Sequence, residues 1–349
     1  MQEQESLSIT GSSATLSSNA QDPGLRLREA MDQMLPIGDL SPSANPLLHV
    51  TNYALASKGK LLRGRMLLEA CRAVAGDAEK ALCAAVAMEY LHVGTLVHDD
   101  MIDRDDLRRG RPAVWRQYGS DMALLDGDFL YFAAFQMLAR SFDADNARLA
   151  ARVFEVFSTT CMDLCLGQAL EERLTGNCAA RYEEYLEVVR LKTARLFRAA
   201  LEIGALLGGG TEEQVELLGT CAEQLGIAFQ ISDDLLPFTS DSATIGKPVT
   251  SDIKNHRVTA PILAAFAEAS ETDQQTLRAI FAEGRFDERL EEAYQATRAI
   301  LNRTQALESM EREATNRYQQ AINLLHSIPY SEGCEQLVAL ANQLVQRNR

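Results

Sequence analysis

Apolar positions along this chain recur at three- and four-residue spacing without sustained two-residue alternation, so the elements it predicts are helices. Two segments carry the pattern most clearly, VFEVFSTTCMDLCLGQAL at 153–170 and LEVVRLKTARLFRAALEIGALLGG at 186–209. Prolines at 23, 36, 42, 46, 112, 237, 248, 261 and 329 leave 113–236 and 262–328 uninterrupted, each long enough for several helices. Thr175–Asn177 and Gly208–Gly210 are breakers between neighbouring helices. Residues 1–24 are rich in Ser, Thr, Gln and Asn and read as a disordered tail lacking the apolar core of a signal peptide. Composition does not shift after residue 25, so 25–349 reads as one all-α domain.

Charge narrows the partners. A formal net charge of −15 argues against nucleic acid or an anionic membrane surface. A phosphorylated substrate fits only where metal ions and local cations reverse the sign. Seven cysteines without a CxxC pair read as core thiols of a reducing, cytoplasmic protein. No run approaches the ~18 apolar residues of a spanning helix, so no transmembrane segment is expected.

Against this background the stretch HDDMIDRDDLRRGRP at 98–112 stands out. On a helix Asp99 and Asp103 lie about 40° apart with Asp100 beside them. Three carboxylates on one side repel one another and make poor packing, but they suit hard divalent cations that bridge to phosphate oxygens. Arg108 and Arg109 follow, and guanidinium groups grip phosphate through a planar donor fork. A second acidic pair, Asp233 and Asp234, stands in FQISDDLLPF, with Gln230 on the same helical side. Lys247, Asp252 and Arg257 trail it, while Lys60 and Arg63 in SKGKLLRGR and the Lys192–Thr193 pair add polar groups elsewhere. Two acidic pairs on separate helices are expected to face each other across a bundle cavity. His98 reads as a packing neighbour, Asp105 and Asp106 as solvent-facing charges, and Asp241 as loop surface.

In order along the chain, GKLLR, HDDMID, RRGRP, LKTARLF and FQISDD…GKPVTSDI resemble the motifs of the trans-isoprenyl diphosphate synthases, the polyprenyl synthetase family, across roughly residues 45–260. The resemblance implies a single large helical bundle of the isoprenoid synthase type with a central apolar cavity. It implies Mg²⁺, about three ions, held by Asp99, Asp100, Asp103, Asp233 and Asp234. Arg108, Lys192, Thr193, Gln230, Lys247 and Arg257 would then hold an allylic diphosphate. Lys60, Arg63, His92 and Arg109 would hold isopentenyl diphosphate, and a homodimer is expected. Head-to-tail condensation follows, with leaving-group charge stabilised electrostatically.

Positions four and five before the first aspartate, Thr95 and Gly94, are small. With Leu91, and with Tyr131, Phe132 or Phe135 as a deeper floor, they imply a product of twenty carbons or more, which Gly94→Phe should shorten. Two departures from the family stand out. Pro237 replaces the third aspartate of the second motif and should end or kink its helix, weakening one metal site. Trp115 stands where many relatives carry histidine. The alternatives are a class I terpene cyclase on the same scaffold, or the partner subunit of a heteromeric synthase. The intact isopentenyl site at Lys60, Arg63 and Arg109 favours the synthase.

Overall fold

The computed structural model describes residues 23–35, 45–56, 59–239, 249–282 and 289–345. Of the expected tail, only Pro23 and Gly24 fall among them, and they open α1 (Pro23–Gln33). The remaining described chain is helical: α2 (Pro46–Ala56), α3 (Leu62–Ala73), α4 (Leu82–Ile102), α5 (Val114–Tyr118), α6 (Ser120–Ala139), α7 (Ala147–Leu174), α8 (Tyr182–Val189), α9 (Arg195–Leu207) and α10 (Glu212–Thr239). Then come α11 (Ser251–Lys254), α12 (Ala260–Glu268), α13 (Glu271–Phe281), α14 (Leu290–Arg303), α15 (Ala306–Ser327) and α16 (Glu332–Val345). Among the described residues the only strands are β1 (Leu107–Arg108) and β2 (Arg111–Pro112), an antiparallel pair with Leu107 opposite Pro112.

The breakers act where the pattern places them, since α7 ends at Leu174 and α9 at Leu207. Pro237 does not end its helix. It lies inside α10, which runs on to Thr239. Lacking an N–H, it cannot donate back along the helix, and its own carbonyl accepts a hydrogen bond from Tyr294 Oη at 2.7 Å.

Helix α4 packs along α6, α3 against α9, and α10 against α9 and α15. The buried apolar residues form two clusters, and α10 belongs to both: Leu218 and Leu225 to the first, Ile231 and Leu235 to the second. Among the described residues only α6, 20 residues long, is apolar enough to cross a membrane, by length and composition alone. Its inward residues Ala123, Leu130, Ala134 and Met137 are buried within the bundle. The thiols differ from the expected core set as well. All seven are free, Cys165 is exposed, and Cys83 and Cys161 are half-buried.

Candidate active site

One large cavity, about 970 Å³, opens between α4, α7, the α8–α9 junction and the end of α10. Its mouth is polar. Asp99, Asp103, Arg108, Arg109, Lys60, Arg63, His92, Lys192, Thr193, Gln230, Asp233, Asp234 and Arg257 all border it. Its depth is apolar, with Leu91, Tyr131, Phe135, Leu164 and Phe229 on the walls. The structure thus brings together nearly every residue singled out from the sequence. Lys247 and Asp241 lie outside the described residues.

The acidic cluster at the end of α4 divides. Asp99 and Asp103 face the cavity, whereas Asp100, 3% exposed, is absent from its wall. Asp100 instead accepts a hydrogen bond from Arg108 Nε at 2.8 Å. Burial pushes Asp99 up to about 6, against the attraction of Lys192. Asp103 is paired with Arg257, which reaches it from beyond α11. A step of 100° around the helix separates a carboxylate in the cavity from one sunk in protein.

Lys192 and Thr193 sit on a π-helical turn, Arg190–Ala194, that joins α8 to α9. Such widened turns occur mostly at functional sites, because the extra residue re-aims its neighbours. Two glycines admit it. A Cβ on Gly167 would lie 2.7 Å from the Lys192 nitrogen, and one on Gly226 only 2.5 Å from Ala194 Cα. Lys192 Nζ donates to Glu171 Oε2 at 2.5 Å. Thr193 Oγ1 donates to Gln230 Oε1 at 2.7 Å, and Gln230 Nε2 donates to Asp234 Oδ1 at 2.9 Å. Asp234 also accepts from Tyr185 Oη at 2.7 Å and from the Ala260 N–H at 3.2 Å. Burial raises its pKa to about 7.

On the opposite wall Arg63 lies 4.5 Å from the centroid of the Phe197 ring, a cation–π contact. Burial lowers its pKa to about 10, so it stays charged at neutral pH. Arg63 Nη1 stands 3.1 Å from His92 Nε2. A guanidinium only donates, so Nε2 accepts and the ring proton is on Nδ1. Burial first, then the positive Arg63, Arg109 and Arg108, push His92 well below its ordinary range, so it is neutral. Gly59 of GKLLR supports the guanidinium of Arg109, which lies 2.7 Å from where a Cβ would stand.

Chain-length positions divide too. Thr95 and Leu91 line the cavity, but Gly94 does not. A Cβ there would meet Tyr131 Cε1 at 2.9 Å and the Gly127 carbonyl at 3.2 Å, so this glycine serves the α4–α6 contact. A phenylalanine at 94 would disturb that packing before it reached substrate space. His98 packs as expected, edge-on to Tyr131 with centroids 5.3 Å apart and Nε2 3.2 Å from the Leu124 carbonyl. Asp106 pairs with Arg116 at the surface, whereas Asp105 borders the cavity. Trp115 gains an explanation: its Nε1–H donates to the Asp105 carbonyl at 2.8 Å and ties down the loop after the first motif.

Sequence reasoning missed Gln168 and Glu171, both on the cavity wall. Both side-chain polar atoms of Gln168 are buried without a partner. The available signal was GQALEE at 167–172, where a glutamine and a glutamate three apart share a helix side at the end of an apolar run. Asp252, named with the second motif, also borders the cavity.

Among the described residues no three carboxylate, imidazole or thiol groups converge into a self-sufficient metal site. The donor set does fit a hard cation. Asp99, Asp103, Glu171, Asp233 and Asp252 present oxygen ligands to one space, and Mg²⁺ commonly takes one or two carboxylates while keeping water and phosphate oxygens.

Fold and site together define an all-α protein with charged side chains at the mouth of an otherwise apolar cavity. The family model described as Polyprenyl synthetase matches residues 44–297, and the chain belongs to that family of prenyltransferases, the isoprenyl diphosphate synthases. It is 35% identical over 301 residues to a short chain isoprenyl diphosphate synthase of Methanothermobacter thermautotrophicus, covering 86% of this chain and 85% of that one. It is 31% identical over 297 residues to the octaprenyl diphosphate synthase of Escherichia coli, covering 85% and 88%. Among solved structures it resembles the geranylgeranyl pyrophosphate synthetase of Pyrococcus horikoshii, with TM-score 0.83, 32% identity and coverage of 92% and 94%.

Proposed function

We propose that this enzyme condenses isopentenyl diphosphate with an allylic diphosphate, head to tail and trans, to a polyprenyl diphosphate of twenty carbons or more. The observation that carries the reading is two groups of phosphate-gripping side chains on one carboxylate-bordered cavity. Lys60, Arg63, His92 and Arg109 would receive isopentenyl diphosphate. Arg108, Lys192, Thr193, Gln230 and Arg257, with Lys247, would receive the allylic diphosphate. Asp99, Asp103 and Asp233, with Glu171 nearby, would hold about three Mg²⁺. When bound there, Mg²⁺ would supply positive charge to neutralise the diphosphates.

The allylic carbon–oxygen bond breaks with its electron pair leaving on diphosphate. Arg108, Lys192 and Arg257 face that developing charge already oriented, where electrostatic stabilisation is most effective. The double bond of isopentenyl diphosphate, its own diphosphate anchored by Arg63 and Lys60, attacks the allylic cation. A proton is then lost, and the released diphosphate is the base at hand, since neutral His92 already accepts from Arg63. The apolar walls keep water from the cation. They also favour elongation, each buried methylene of the growing tail contributing about 0.8 kcal/mol. The small Thr95 on the cavity wall, with Tyr131 and Phe135 deeper, supports a product of twenty carbons or more.

A homodimer is supported by an exposed apolar face: Leu124, Leu125 and Phe132 on α6 and Met162 and Leu166 on α7. Free, mostly buried thiols suit a reducing cytoplasm.

The deciding experiment supplies Mg²⁺, labelled isopentenyl diphosphate and dimethylallyl, geranyl or farnesyl diphosphate, and reads chain length after dephosphorylation. Labelled prenyl alcohols of twenty carbons or more are expected. Conversion of the allylic substrate to unlabelled hydrocarbon would mean a cyclase. Thr95→Phe, which points a ring into the cavity, should shorten the product by at least one five-carbon unit. An unchanged length distribution would remove Thr95 from the wall that stops growth.

A further inference from the structure

The two aspartates of the second acidic pair do different work. We propose that Asp234 is not a metal ligand but, with Tyr185, a positioning residue that fixes the amide of Gln230 and the hydroxyl of Thr193. The inference rests on the condensation proposed above.

Asp234 is 6% exposed, and both its carboxylate oxygens are already engaged. Tyr185 Oη at 2.7 Å and the Ala260 N–H at 3.2 Å occupy Oδ2, and Gln230 Nε2 at 2.9 Å occupies Oδ1. Tyr185 belongs to α8, Gln230 to α10, and Ala260 opens α12, so one carboxylate at the cavity wall ties three elements together. Three of the carboxylate's roughly four lone-pair positions are taken, and a cation displacing any of these donors would leave it unpaired in the interior. Both aspartates border the cavity, but Asp233, by contrast, is only half-buried.

The consequence runs outward along the hydrogen bonds. Because Gln230 gives an N–H to Asp234, its carbonyl oxygen must face Thr193, whose hydroxyl donates to it at 2.7 Å. The orientation of the amide is therefore set by a carboxylate behind it. Its second N–H stays available to a phosphate oxygen. Remove the carboxylate's hold and the amide can flip, presenting a carbonyl oxygen to an anionic diphosphate. Tyr185, itself on the cavity wall, then governs allylic diphosphate binding through its hydroxyl's hold on Asp234 and, through Asp234, on Gln230.

The test compares wild type with Tyr185→Phe, Asp234→Asn and the double variant in steady-state assays over a range of Mg²⁺. Calorimetry of Mg²⁺-dependent binding of inorganic pyrophosphate gives a readout without turnover. Tyr185→Phe should raise the KM for the allylic substrate about tenfold, a loss typical of one hydrogen bond in a polar network. The KM for isopentenyl diphosphate and the half-saturating Mg²⁺ concentration should stay within about twofold of wild type, the scatter of mutations that miss a site. Asp234→Asn should behave alike, and the double variant no worse than the poorer single one, as members of one relay do. The inference is overturned if Asp234→Asn raises the Mg²⁺ requirement tenfold or more in both readouts while Tyr185→Phe leaves the allylic KM unchanged. Should Tyr185→Phe not fold, the Mg²⁺ requirement of Asp234→Asn decides alone. A wild-type protein that condenses nothing sinks the proposed reaction; one that condenses, with Asp234→Asn defective in Mg²⁺, sinks only the relay.

Discussion

The two acidic segments look alike in sequence and are built on opposite principles. In the first, at the end of α4, carboxylates meet cations: Asp100 with Arg108 and Asp103 with Arg257. In the second, at the end of α10, Asp234 meets neutral donors from Tyr185, Gln230 and Ala260. The Asp103–Arg257 pair, at the cavity wall, can exchange partners, because an arriving metal and diphosphate offer each ion a new opposite charge. Neutral hydrogen bonds to a sunken carboxylate have nothing to exchange with and hold geometry instead. The difference teaches that adjacent aspartates are not equivalent ligands, and that the partner identifies the job.

The largest effect should come from the exchanging side. Asp103→Asn removes a cavity carboxylate and should lower kcat/KM by ~10³-fold, the scale of losing a charge-stabilising group aimed at a transition state. Measured under one assay beside Asp234→Asn, the two should differ by about two orders of magnitude. Equal losses would break the comparison.

Arg257→Ala comes next and tests exchange itself. Losing one cation from a desolvated diphosphate site costs ~2 kcal/mol, about a thirtyfold rise in the allylic KM. The same change frees Asp103, so Mg²⁺ without diphosphate should bind more tightly to the variant than to wild type, as calorimetry would read. Weaker binding of the bare metal would mean that Arg257 supports the acidic cluster instead of competing for it.

How much of this was readable beforehand follows from what a spacing encodes. Apolar periodicity and the breakers at Thr175–Asn177 and Gly208–Gly210 set out the helices, because packing of an amphipathic face is what stabilises them. The spacing of motifs assembled Lys60, Arg63, Asp99, Lys192 and Asp233 onto one cavity. Finer features depend on a single turn of geometry. Asp100 and Gly94 lie one step around the α4 axis from cavity residues and face protein. The π-turn that aims Lys192 has no sequence signature, only the small residues Gly167 and Gly226 that let its backbone approach. Glu171 was hidden because an acidic residue near a helix end is ordinarily solvated surface. Only the fold brings Lys192 to it.

The smallest expected effect isolates the neutral-donor principle away from the site. Asp126, buried on α6, accepts one hydrogen bond, from Thr51 Oγ1 at 2.6 Å, and its other carboxylate oxygen is buried without a partner. Burial pushes its pKa from 3.8 to about 6. A carboxyl raised on folding favours its neutral form in the native state. Its contribution to stability is therefore present in full below 3.8 and is lost as pH rises through 6. A neutral asparagine escapes that loss, so the stability of Asp126→Asn relative to wild type should grow by ~1.5 kcal/mol between pH 5 and pH 8. Urea denaturation at the two pH values measures it. A gap that stays flat would mean that Asp126 ionises as easily in the fold as in the open chain. Burial among neutral donors would then be too weak a force to explain why Asp234 is held apart from the metals.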